Sequence, residues 1–140
     1  MSDVELLRTS FEALAPQAAS LMERFYAILF ERYPSVRPLF VHTDMRKQQG
    51  KLLASLALVV KHCDQPEKFR QPLRQMGERH LAYGTQPQHY DAVGECLLAA
   101  LAETAGSLWT EELQAAWTRA YLLVAGEMLL GAQAGAASGA

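Results

Sequence analysis

The chain has 140 residues, half of them hydrophobic and a fifth charged, with a formal net charge of −2. That length and composition support one domain with a real core, and no run of Lys or Arg exceeds the pair Arg46 and Lys47, which argues against nucleic acid and anionic membrane as partners. The longest apolar run, Leu52 to Val60, is interrupted by Ser55 and is about half the roughly 18–20 residues that a membrane span needs.

The N-terminus, Met-Ser-Asp-Val-Glu, has no apolar leader core, so the expected location is the cytoplasm. Ser2 with Glu5 fits a capping box and opens a helix over about Asp3 to Ala15. Pro16 suits the first turn of a second helix, in which Leu21, Phe25, Ile28 and Leu29 line one face as far as Tyr33. Pro34 and Pro38 bracket a short turn ending at Phe40. His42 to Lys47 reads as a polar connector, with His42 exposed. A long helix then covers about Arg46 to His62, its stripe running Gln48, Leu52, Ser55, Val59, His62.

Pro66 and Pro72 bracket a loop or short helix. In the next helix Leu73, Met76, Gly77 and His80 fall at i, i+3, i+4 and i+7, which puts His80 on the apolar face. Gly84 ends that helix. Pro87 opens another with Tyr90, Val93, Leu97 and Leu101 on its face, and His89 reads as exposed on a different side. Thr110 is an N-cap, followed by Glu111 and Glu112 in the first turn of a last long helix marked by Leu113, Trp117, Ala120, Tyr121, Val124 and Met128. Residues 131–140, GAQAGAASGA, read as a flexible Gly/Ala-rich tail after a domain spanning 1–130. With no Asn-Gly or Asp-Gly hairpin turn and no sustained alternation, the expectation is an all-α fold of six to eight unequal helices.

A lone histidine on an apolar helix face is ordinarily a core residue bonded to a carbonyl. His42, His62, His80 and His89 form no zinc-like spacing, and Cys63 and Cys96 fit no CxxC, so a structural zinc is disfavoured and the cysteines read as free thiols. Haem differs, because it needs only one protein ligand on one side and apolar walls for its faces. Without a CxxCH the haem would be of b type, held non-covalently.

FYAILFERYPSVRPLF (Phe25 to Phe40), QQGKLLASL (Gln48 to Leu56), MGERHLAYG (Met76 to Gly84), QPQHYDAVGECLLAAL (Gln86 to Leu101) and AAWTRAY (Ala115 to Tyr121) together resemble a single-domain bacterial globin, of the group that includes the haem domain of flavohaemoglobins. The resemblance covers about Asp3 to Leu130. It implies a globin fold packed around haem b, with His80 as the proximal iron ligand, Phe40 wedged against the haem and Tyr90 near the proximal histidine. It makes Tyr26 the distal tyrosine and Gln48 the polar residue of the distal helix, with Leu52 one turn on. Gln49 with Leu53 is the one-residue-shifted alternative. The Gln48 register is favoured because its stripe continues through Leu52, Ser55 and Val59.

The implied function is reversible, high-affinity O₂ binding, with NO and CO as further ligands. Each hydrogen bond donated by Tyr26 or Gln48 to bound O₂ in a dry pocket adds about 1–3 kcal/mol, or roughly 5- to 150-fold in affinity. The alternative is nitric oxide dioxygenation, which needs an electron source. Flavohaemoglobins carry a fused flavin reductase; this sequence has no GxGxxG, so a separate reductase is the expected partner. In the family's enzymes a glutamate late in the last helix joins the proximal histidine. That position counts to Ala134 here, with Glu127 two turns earlier. Less electron push from His80 follows, which favours ligand binding over turnover.

Overall fold

A computed structural model describes residues 2–139, with side chains as far as residue 134. Among these residues the regular structure is helical. The α-helices are α1 (Asp3–Leu14), α2 (Ala18–Arg32), α3 (Met45–Lys61), α4 (Glu67–Ala82), α5 (Pro87–Ala105) and α6 (Glu111–Gly139). Short 3₁₀ turns cover Ala15–Gln17, Pro34–Phe40 and Gly106–Leu108.

Local chemistry sets most of the starts. The Ser2 hydroxyl accepts from the Glu5 N–H while Glu5 reaches back to the Ser2 N–H, the reciprocal box expected at the start of α1. The Asp44 carboxylate accepts from the N–H groups of Arg46 and Lys47 at the start of α3. Gly84, at φ +92°, follows the last turn of α4 in a conformation that costs glycine little.

Two stretches differ from the sequence expectation. The region around Pro66 and Pro72 is not a loop or a short piece: α4 begins at Glu67 and runs straight through Pro72. A proline inside a helix costs about 3 kcal/mol. Phe69 and Leu73, flanking it, are both fully buried, and burying two such side chains returns more than that. The Gly/Ala stretch expected as a tail is helical through Gly139, and Ala140 lies outside the described residues. Gly131 is buried against α4, where an added Cβ would lie only 1.9 Å from the Arg74 carbonyl oxygen, so the packed region extends past 130.

α4 and α6 form the most extensive helix pair, and α2 crosses α5. The buried side chains fall into two groups. One joins α1, α2, α5 and the first half of α6 through Phe25, Ile28, Leu97, Leu101 and Trp117. The other gathers Val59, Phe69, Leu73, Tyr90, Ala125 and Met128 from α3 to α6. Two separate groups leave a gap between them, and the candidate site occupies it.

Candidate functional site

A cleft of about 140 Å³ runs between the two packed groups. Its walls are overwhelmingly apolar: Leu52, Leu56, Val59 and Val60 from α3, Leu73 and Met76 from α4, Val93 and Leu97 from α5, and Val124 and Met128 from α6. His80, Tyr90 and Leu52, singled out in the sequence, all line it.

His80 sits in the last turn of α4, half-buried. Its Nδ1 lies 2.6 Å from the Met76 carbonyl oxygen. A carbonyl only accepts, so Nδ1 carries the proton and Nε2 keeps its lone pair. Burial, the largest influence, lowers the pKa of the ring below its ordinary value; the Met76 carbonyl opposes that and the Arg79 charge adds to it. Near neutral pH the ring is uncharged, with a basic nitrogen free to bind a metal.

The remaining polar groups of the cleft can be counted off. The Ser55 hydroxyl donates to the Lys51 carbonyl. The Trp117 indole N–H donates to Ser10, and the Tyr121 hydroxyl donates to the Tyr90 carbonyl. The Tyr90 hydroxyl is buried and has no hydrogen-bond partner among the described residues, and burial pushes its pKa up. A stranded O–H costs about 1–3 kcal/mol, a cost that an acceptor reaching it would relieve. The late-helix positions do not serve it: Glu127 is buried between Arg74 at 2.8 Å and Arg70 at 3.3 Å, and Ala134 is exposed.

Tyr26, Phe40 and Gln48 do not line the cleft itself. They form an adjoining cluster. The Tyr26 and Phe40 rings meet edge-on with centroids 5.8 Å apart, and Phe30 closes the group at 5.4 Å from Phe40. Burial raises the Tyr26 pKa, and the Gln48 amide, facing the hydroxyl in a loose contact, pulls it partly back. The hydroxyl therefore stays protonated. Gln48, not Gln49, faces Tyr26, and Leu52, not Leu53, reaches the cleft. The shared stripe of α3 thus links the cluster to the cleft.

His89 does not face away as the sequence suggested. It is half-buried and lines the cleft together with Thr85. The helical phase of α5 pointed it elsewhere, but at the first turn the ring folds back to cap the helix: its Nδ1 accepts the Gln86 N–H at 2.9 Å. Among the described residues no group of three or more His, Cys, Asp or Glu is placed to hold a metal. A metal in this cleft must bring most of its own ligands.

Known proteins share this fold. The family model for globins matches residues 23–128. A flavohemoprotein of Bacillus cereus is 32% identical over 124 residues, covering 87% of this chain and 30% of its own length. One from a Burkholderia species is 32% identical over 129 residues, covering 90% and 33%. The chain thus spans about a third of the length of these curated relatives. Among solved structures, a bacterial globin from Campylobacter jejuni superposes with a TM-score of 0.82 at 24% identity, covering 94% of each chain. An engineered carbene transferase from Rhodothermus marinus, whose parent carries a provisional assignment as a nitric oxide dioxygenase, superposes with a TM-score of 0.86 at 32% identity, covering 99% of this chain and 96% of its own.

Proposed function

The chain belongs to the globin family, and on that premise we propose that its cleft holds a non-covalent haem b on His80 and binds O₂ reversibly and tightly. The observation that carries this reading is His80 itself: one neutral imidazole, its Nδ1–H fixed on the Met76 carbonyl, its Nε2 free in an apolar cleft. The residues fit the group. Apolar walls would suit the faces of a porphyrin, and the free nitrogen lone pair of His80 would suit its iron. Haem held there by His80 would supply an iron able to bind a diatomic gas.

The chain's own residues then set affinity. The Met76 carbonyl orients the His80 ring and keeps its tautomer fixed. Tyr26, held protonated by burial, is the donor available to a partly negative gas. Gln48 faces its hydroxyl and can orient it or donate as well. The surrounding aromatic rings exclude water and strengthen any such bond.

Nitric oxide dioxygenation, with electrons from a reductase, is the second reading. The flavohemoprotein relatives and the Rhodothermus structure favour it. Against it, among the described residues the Tyr90 hydroxyl has no partner and Glu127 is held by two arginines, so neither brings a carboxylate to strengthen His80.

The test is a visible spectrum of the reduced protein in air and then under argon. Reversible binding gives a two-band oxygenated spectrum that reverts to a single-band form. Tyr26→Phe should then raise the O₂ off-rate by about 5- to 150-fold; an unchanged rate would refute the donor role of Tyr26. Sustained NO consumption with an added reductase and NADH would favour the second reading.

A further inference from the structure

We propose that the outer face of α6, centred on Gly126, pairs with the same face of a second copy of this chain in an antiparallel, two-fold crossing.

The stretch LLVAGEMLL, Leu122 to Leu130, places its leucines symmetrically about Gly126. At 3.6 residues per turn, Leu122 and Leu130 lie about 40° to either side of the glycine, and Leu129 and Leu123 about 60°. Three of the four are unusually open for leucine: Leu122 is 61% exposed, Leu130 50% and Leu123 38%. Leu129 is half-buried. From Ala120 to Ala134 the only charged residue is Glu127, which is buried and held by Arg74. The face therefore offers nothing to a charged partner, and exposed leucines grouped in this way mark a contact surface.

The symmetry of the face selects the occupant. A two-fold axis perpendicular to both helices and passing beside Gly126 sets Leu122 of one copy against Leu130 of the other, and the reverse. Leu122, Gly126 and Leu130 form an i, i+4, i+8 ridge, the row that most often packs between helices. At its centre a Cβ added to Gly126 would meet nothing within 4 Å, so a second backbone can approach closely there. Arg119, the first charge before the face, is engaged by Asp3 of its own chain at 2.7 Å. A net charge of −2 gives little repulsion between copies. The face is smaller than the roughly 800 Å² per partner of a standard interface, so a weak dimer is expected, with a Kd of about 10–100 µM.

Sedimentation velocity of the whole protein between about 5 and 500 µM tests this. Leu122→Lys and Leu130→Glu each place a charge against a leucine at both ends of the pair. Each variant alone should associate about a hundredfold more weakly than wild type. Both positions are half or more exposed in the monomer, so both variants should fold, which circular dichroism checks. A one-to-one mixture sets Lys against Glu across the axis and leucine against leucine at the other end, and should recover association to within about tenfold of wild type. A wild-type protein that stays monomeric throughout, variants that associate as well as wild type, or a mixture no better than its parts would each overturn the pairing.

Discussion

Gly77→Ala puts a methyl group where α4 has no room for one. Gly77 lies three residues before His80, on the face that meets α6, and its added Cβ would sit 1.8 Å from the Met128 carbonyl oxygen. Ordinary contact begins at 3.4 Å, so the two helices must part by roughly 1.6 Å, against a backbone that has no rotamer to change. Such overpacking costs about 1–3 kcal/mol, and the parted helices lose further contact beside the methyl group; the better helix propensity of alanine returns about 1 kcal/mol. A net loss of about 2 kcal/mol is expected, a fall in Tm of roughly 5–8 °C for a chain of this size. Gly126→Ala is the control on α6. Its added Cβ would meet nothing within 4 Å, so the same chemical change should stabilise by about 0.5–1 kcal/mol. Thermal unfolding of the haem-free protein, followed by circular dichroism, measures both. The reasoning is refuted if Gly77→Ala is neutral or stabilising, because the close approach of α4 to α6 would then not depend on that glycine.

Removal of His80 should alter the pH dependence of stability. Its folded pKa lies below the ordinary value of 6.5, so as pH falls below that value the unfolded chain takes up a proton that the folded ring refuses. Stability contributed by the neutral ring is present above about pH 6.5 and is lost as pH falls towards the folded pKa. Haem-free His80→Leu should therefore lose less stability than wild type between about pH 7.5 and 5.5 in urea unfolding; equal losses would count against the depressed pKa. Glu127→Gln leaves Arg70 and Arg74 facing a neutral amide. Because the carboxylate is buried but both arginines are half-exposed and can rehydrate, the expected cost is about 1–2 kcal/mol. It should persist in high salt, and a cost that disappears at about 1 M NaCl would show the pair to be an ordinary surface contact.

How much of this was legible beforehand depends on how far each residue's environment reaches along the chain. The capping box of Ser2 and Glu5, the Asp44–Lys61 region as one long helix, the glycine ending α4 and the apolar phase of His80 are local matters, set by a few neighbouring residues. Pro72 misled because its penalty is local whereas its remedy, the burial of Phe69 and Leu73, is tertiary. His89 misled because helical phase assigns a face to a side chain in mid-helix, and a ring that turns back to cap its own helix does not obey it.

The all-helical fold follows from the spacing of apolar residues and helix ends along one chain, and the family from the resemblance of the ordered motifs to those of bacterial globins. Nothing in that spacing stated that the core divides in two and leaves a cleft between its halves, or that the Tyr90 hydroxyl is stranded in the wall while Glu127 is drawn off by Arg70 and Arg74. Those facts arise from contacts between residues distant in sequence, and hydrogen-bond satisfaction is decided only when α3, α4, α5 and α6 are brought together.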